Sequence, residues 1–84
     1  MKLVYMAHPV SGDVSNNLLK AKAHLKALNE RYEDTHCIIA PWITECEVFD
    51  DSDPEQRAAG MRRCLRVIEV CDEVWLIGRY MSMG

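Results

Sequence analysis

The chain has 84 residues, 49% of them hydrophobic and 27% charged, with ten basic and thirteen acidic side chains for a formal charge of −3. Such a composition describes one ordinary globular domain, near the small end of what buries an adequate core without staples, and excludes a disordered or low-complexity chain. A mildly acidic chain with no basic arm does not suit a nucleic acid polymer, no apolar run approaches the roughly 18 residues that cross a bilayer, and the first residues carry no secretory pattern, so the expected setting is cytoplasmic and away from membranes.

The first stretch, Lys2-Leu3-Val4-Tyr5-Met6-Ala7, is apolar on both faces and is stopped by Pro9 and Gly12, which reads as a buried strand emptying into a tight polar loop. Ser15 can cap a helix from about Asn16, in which Leu18, Ala21, Leu25, Leu28 and Tyr32 form one buried stripe while Lys20, Lys22, His24 and Lys26 fall mostly on a solvated face. His36 to Ala40 reads as a second, short strand ended by Pro41. From Pro41 to Asp53 the pattern is irregular, with Trp42, Ile43, Val48 and Phe49 scattered among acidic residues. A loop of that length in so small a domain serves a function or an interface, and its acidic run is either a solvated turn leading to a helix cap or a cation site.

Asp53 as N-cap, Pro54 at the first helical position and Glu55 in the first turn mark the start of a second helix. Ala58, Met61, Leu65 and Ile68 supply its expected buried stripe, with Arg57, Arg62, Arg63 and Arg66 exposed, paired with Glu55 and Glu69, or meeting another subunit. Cys71-Asp72 closes that helix, and Glu73 to Ile77 forms a third strand running into Gly78 to Gly84. Cys37, Cys46, Cys64 and Cys71 match no paired-ligand spacing and read as buried or part-buried free thiols. The alternative is a zinc site built from Cys37, Cys46 and either His8 or His36. No metal or cofactor is expected.

The order β-α-β-α-β, with helical connections, predicts a single three-layer α/β domain over residues 1–84, with a parallel sheet in strand order 2-1-3 and right-handed crossovers, in the Rossmann or flavodoxin-like manner. Strands 1 and 3 then make a topological switch point, and the His8–Gly12 and Gly78–Gly84 loops meet over one crevice. Gly12 and Gly84 leave room for an anion at the backbone N–H groups, and Ser11 and Ser82 add hydroxyl donors, although glycine and serine are also ordinary turn residues. His8 beside Pro9 is either a proton carrier or a hydrogen-bonded structural residue. Tyr5 belongs to the core unless it faces the crevice, where its phenol would orient a ligand or a carboxylate. Trp42 and Tyr80 either cover the sheet ends or offer an aromatic face to a base. The uncovered sheet edge predicts a homodimer or a higher homo-oligomer.

Val4 to Gly12, Ala40-Pro41-Trp42, the run from Asp51 to Gly60, and Cys71-Asp72 followed by a strand and Gly78-x-x-x-Ser82-x-Gly84 together resemble the nucleoside 2-deoxyribosyltransferase-like superfamily, over essentially the whole chain. The nearer likeness is to its small phage and bacterial members of unassigned function, which usually carry a glycine before the strand-one proline. The resemblance implies a glutamate nucleophile that forms a covalent sugar ester, with Tyr5 steadying it and Ser11, Gly12, Ser82 and Gly84 on the 5′-phosphate or 5′-hydroxyl side. Two positions depart from that pattern. The glutamate is expected four residues after the final glycine, where this sequence ends, and the aspartate that handles the base is here Cys64, which lacks a carboxyl's proton chemistry. The fourth and fifth strands of the usual fold are absent as well.

The expectation is a nucleoside- or nucleotide-binding domain whose catalysis is absent or impaired. One alternative is an active N-glycosidic-bond hydrolase or transferase, acting on 2-deoxyribonucleosides or their monophosphates and completed by a glutamate beyond Gly84. Another is a protein-interaction module using Trp42, Phe49 and the arginine-bearing helix.

Overall fold

The structure is a computed structural model, and it describes residues 1–77. Expectations resting on Gly78, Tyr80, Ser82 and Gly84 therefore lie outside the described residues.

Strand β1 (Lys2–Ala7) is the middle of the sheet, with β2 (His36–Ile39) and β3 (Glu73–Leu76) parallel to it on either side in the order β2-β1-β3. The α/β class and the 2-1-3 order expected from the sequence are those observed. Alternation along β1 divides its side chains between two layers. Val4 and Met6 are wholly buried in a cluster with Ala21 and Ile38, bordered by Leu18, Leu25, Leu28 and Tyr32, so the stripe of helix α1 (Val14–Arg31) lies where its spacing predicts. Tyr5 points to the opposite face, beside Cys64 of helix α3 (Pro54–Val70).

Several local expectations are corrected. Helix α1 begins before Asn16 because Asp13, not Ser15, is its cap, with a carboxylate oxygen accepting from the Asn16 amide at 3.3 Å. The stretch after Pro41 is not a loop: Pro41–Val48 form helix α2, with Pro41 in its first turn and Ile43 buried. Proline is pre-set for that first position, and the acidic residues that obscured the pattern are held by cations from neighbouring helices, Glu47 by Lys22 and Glu45 by Arg63. Lys22 is thus not merely a solvated lysine. Helix α3 starts where Asp53 and Pro54 predict, but its inward side is not the Ala58–Met61–Leu65 stripe. Met61 and Leu65 are 58% and 59% exposed and Ala58 is exposed too, whereas Gly60 is buried and Cys64, Val67 and Ile68 are half-buried, so Ile68 alone of the expected stripe lies inward. Small residues face inward because α2 and the Tyr5 ring approach closely there. Cys37 is exposed rather than a buried thiol, and Val74 and Leu76 of β3 also stand exposed.

The outer edge of β2 is closed by one side chain. Asn29 of α1 accepts from the Ile38 amide at 2.9 Å and donates to the Ile38 carbonyl at 2.8 Å, pairing with the strand as another strand would. On the other side of the sheet, Asp72 and Leu3 exchange two bonds: Leu3 N–H donates to the Asp72 carboxylate at 2.7 Å and Asp72 N–H donates to the Leu3 carbonyl at 2.8 Å. Replacing Asn29 by Ala leaves both Ile38 groups without their partner, so chemical denaturation should show a loss of about 1–3 kcal/mol, while Asn16→Ala on the exposed start of α1 should change stability far less.

Candidate functional site

Helix α2 lies across the carboxyl end of the sheet. Its Trp42 indole N–H donates to the Met6 carbonyl at 2.7 Å, which fixes the ring over the end of β1. Arg63 of α3 grips Glu45 through two bonds, Nε to Oε2 at 2.7 Å and Nη2 to Oε1 at 2.5 Å, and its guanidinium lies 4.5 Å from the centre of the Phe49 ring. Gly60 makes room for this clamp, since a Cβ there would stand 3.0 Å from the Glu45 carboxylate.

Between α2, α3 and β1 these contacts leave a cavity of about 300 Å³. Its walls are largely apolar: Tyr5 from β1, Val10 from the following loop, Trp42 and Cys46 from α2, Phe49 at the end of that helix, and Cys64 from α3. Glu45, Asp50, Asp51 and Arg57 supply its charges. Tyr5 is only 6% exposed, and the polar neighbour of its hydroxyl is the Cys64 thiol, a weak partner. Burial first, and then that thiol, push the phenol far above its ordinary range, so it stays protonated at neutral pH. Burial raises the Cys46 thiol as well, helped by Asp51. The Arg63 bonds hold Glu45 below the usual carboxylate range, and the Ser52 hydroxyl and amide do the same for Asp50.

Of the sequence-derived site residues, Tyr5 and Trp42 line this cavity. The His8–Gly12 loop runs beside it, touching it through Val10. His8 bonds the Pro9 carbonyl at 2.8 Å and His24 at 3.1 Å, and stacks at 6.4 Å from Trp42. Ser11 and Gly12 are exposed, with Gly12 in the left-handed region at φ 95°, and the Val10 and Ser11 carbonyls accept from the Asn17 side chain at 3.2 and 3.1 Å. The sequence does not place the acidic wall and Cys46 at the crevice, because it predicts a loop where α2 forms. The spacing of Trp42, Cys46 and Phe49, one side of a helix opened by Pro41, was the signal for them.

Among the described residues no cluster of three or more His, Cys, Asp or Glu side chains is placed to hold a metal ion, so the alternative Cys37, Cys46 and His set does not assemble there. No helix among them is long and apolar enough to cross a membrane.

These features define a small parallel α/β domain with a cavity where its central strand ends. The chain belongs to the family described as "Domain of unknown function (DUF7768)", whose model matches residues 2–84. No curated protein and no solved structure matches it.

The clamp carries a pH signature. Glu45, Asp50 and Glu73, the last held by Lys2, all have folded-state pKa values below their ordinary ones, so the unfolded chain binds protons more readily. Their stabilisation is complete above the ordinary carboxylate range, about pH 4, and is lost as the pH falls through the depressed values. Urea midpoints followed from neutral pH downward should stay level and then drop, and Glu45→Gln should show a shallower acid slope.

Proposed function

We propose that this domain binds a nucleoside or nucleotide in the cavity between α2 and α3, and that it is related to nucleoside 2-deoxyribosyltransferases with catalysis absent or impaired. The observation that supports this reading best is the buried Tyr5 side chain, lining a largely apolar cavity with the Trp42 and Phe49 rings and a few charged groups at its wall. A flat heteroaromatic ring matches such walls, and a polar edge on it would give the phenol the strong partner it lacks. The side-chain pairings in the cavity support the impaired-catalysis part of this reading. The phenol's neighbour is a thiol rather than a carboxyl, Glu45 is committed to Arg63, and Asp50 is committed to Ser52.

Calorimetry with the four 2′-deoxynucleosides and their monophosphates tests the binding, and chromatography of the same mixtures tests turnover. Binding of at least one compound with no release of free base is the expected result. Robust base release would instead support an active N-glycosidic-bond hydrolase or transferase. Tyr5→Phe keeps the ring and removes the hydroxyl, so it should weaken binding several-fold, about 0.5–1.5 kcal/mol, with little change in the fold.

We further infer self-association, supported by the exposed Val74 and Leu76 on the edge strand and by Met61 and Leu65 on α3. Light scattering across a concentration series should give at least the mass of a dimer, and a monomer at high concentration would contradict it.

A further inference from the structure

We propose that the cavity selects for positive charge and that its preferred guest is a cationic planar heteroaromatic nucleoside, one protonated or alkylated on the ring, over the neutral form, and the neutral form over the phosphorylated one. This rests on the nucleoside-binding reading above and adds to it the charge of the guest.

The charges lining the cavity are Glu45, Asp50 and Asp51 against Arg57, a balance of three to one, and adding Arg63, which holds Glu45 from outside, still leaves the sum negative. Hydrogen bonding keeps two of the three carboxylates ionised: Arg63 grips Glu45, and Ser52 bonds Asp50 through its amide at 3.0 Å and its hydroxyl at 2.5 Å. Asp51 makes no ion pair among the described residues. The walls add aromatic faces, whose quadrupoles attract cations. The Phe49 ring is already engaged by the Arg63 guanidinium 4.5 Å from its centre, so the aromatic contribution to this preference comes from the Trp42 ring, fixed by its bond to Met6. The Tyr5 hydroxyl, buried and beside only a thiol, presents an oxygen dipole to the same space.

Two of the three helix starts oppose an anion, whereas α2 begins at Ala40 without a side-chain cap. A phosphate gains most at a helix N-terminus with free N–H groups, yet Asp13 caps α1 at the Asn16 amide and Asp53 caps α3 at the Glu55 amide, 3.0 Å away. Each places a carboxylate where a phosphate oxygen would bind. The Ser11–Gly12 turn therefore leads straight into a negative cap, and Asn17 turns towards the Val10 and Ser11 carbonyls rather than towards a ligand. Because apolar walls lower the local dielectric, one unit of ligand charge counts for more here than on an open surface.

The test uses the full chain and three ligands on one scaffold: 2′-deoxyadenosine, its N1-methylated cation and its 5′-monophosphate, titrated by calorimetry at low and physiological ionic strength. The cation should bind tightest and the monophosphate weakest, each step about tenfold at low salt and narrowing as salt rises. Asp51→Asn, an exposed position whose folding is checked by circular dichroism, should compress the ranking, whereas a steric effect of the added methyl would not respond to it. A monophosphate that binds as tightly as the neutral nucleoside, or a ranking indifferent to both salt and Asp51→Asn, overturns the charge preference while leaving a nucleoside pocket in place. Failure of all three ligands to bind overturns that reading and this inference together.

Discussion

The structure depends on how α2 is held across the end of the central strand. Parallel strands leave their carboxyl ends open, and in so small a domain that opening would expose the core between the helical layers. Here α2 spans it. Trp42 is bound to the Met6 carbonyl, Lys22 of α1 reaches Glu47, and Arg63 of α3 reaches Glu45, so both helical layers are joined through one eight-residue helix. None of these bonds alone is worth much, since the ion pairs are partly exposed. Their value is positional: together they fix one side of the cavity beside Tyr5.

The alternation of β1 then settles what that surface contains. Val4 and Met6 are spent on the core with α1, which leaves Tyr5 as the polar atom delivered to the other layer. A phenol in the middle of a buried strand is expensive unless a partner or a guest meets its hydroxyl, and the Cys64 thiol meets it only weakly. Gly60 and Cys64 keep α3 slim at the same level, so the space beside Tyr5 stays open instead of filling with side chains. Strand pattern, helix composition and cavity are thus linked through a few small residues.

Much of this frame was legible in the residues themselves. The apolar run of β1, the spacing from Leu18 to Tyr32 and the Asp53–Pro54 start signal each rest on strong local physics, and the strand order follows once the helical connections are recognised. Two regions resisted. Helix α2 is short and crowded with carboxylates whose partners lie on other helices, so its pattern makes sense only after the chain has folded. The stripe expected for α3 holds at Ile68 and fails at Ala58, Met61 and Leu65, because close approach by α2 and Tyr5 favours small residues such as Gly60 and Cys64 on the inward side. The sequence centres the site on the His8–Gly12 and Gly78–Gly84 loops, and among the described residues the cavity takes Tyr5 and Trp42 from that expectation and touches the first loop through Val10.

We propose that the space between α2 and α3, rather than the glycine turn, receives the ligand. Two-dimensional amide and indole NMR during titration with a 2′-deoxynucleoside tests it most directly. The account predicts that the Trp42 indole and the amides around Tyr5, Cys46, Phe49 and Cys64 shift together and saturate on one curve. Shifts confined to His8 through Asp13, with the Trp42 indole and α3 unmoved, would contradict it.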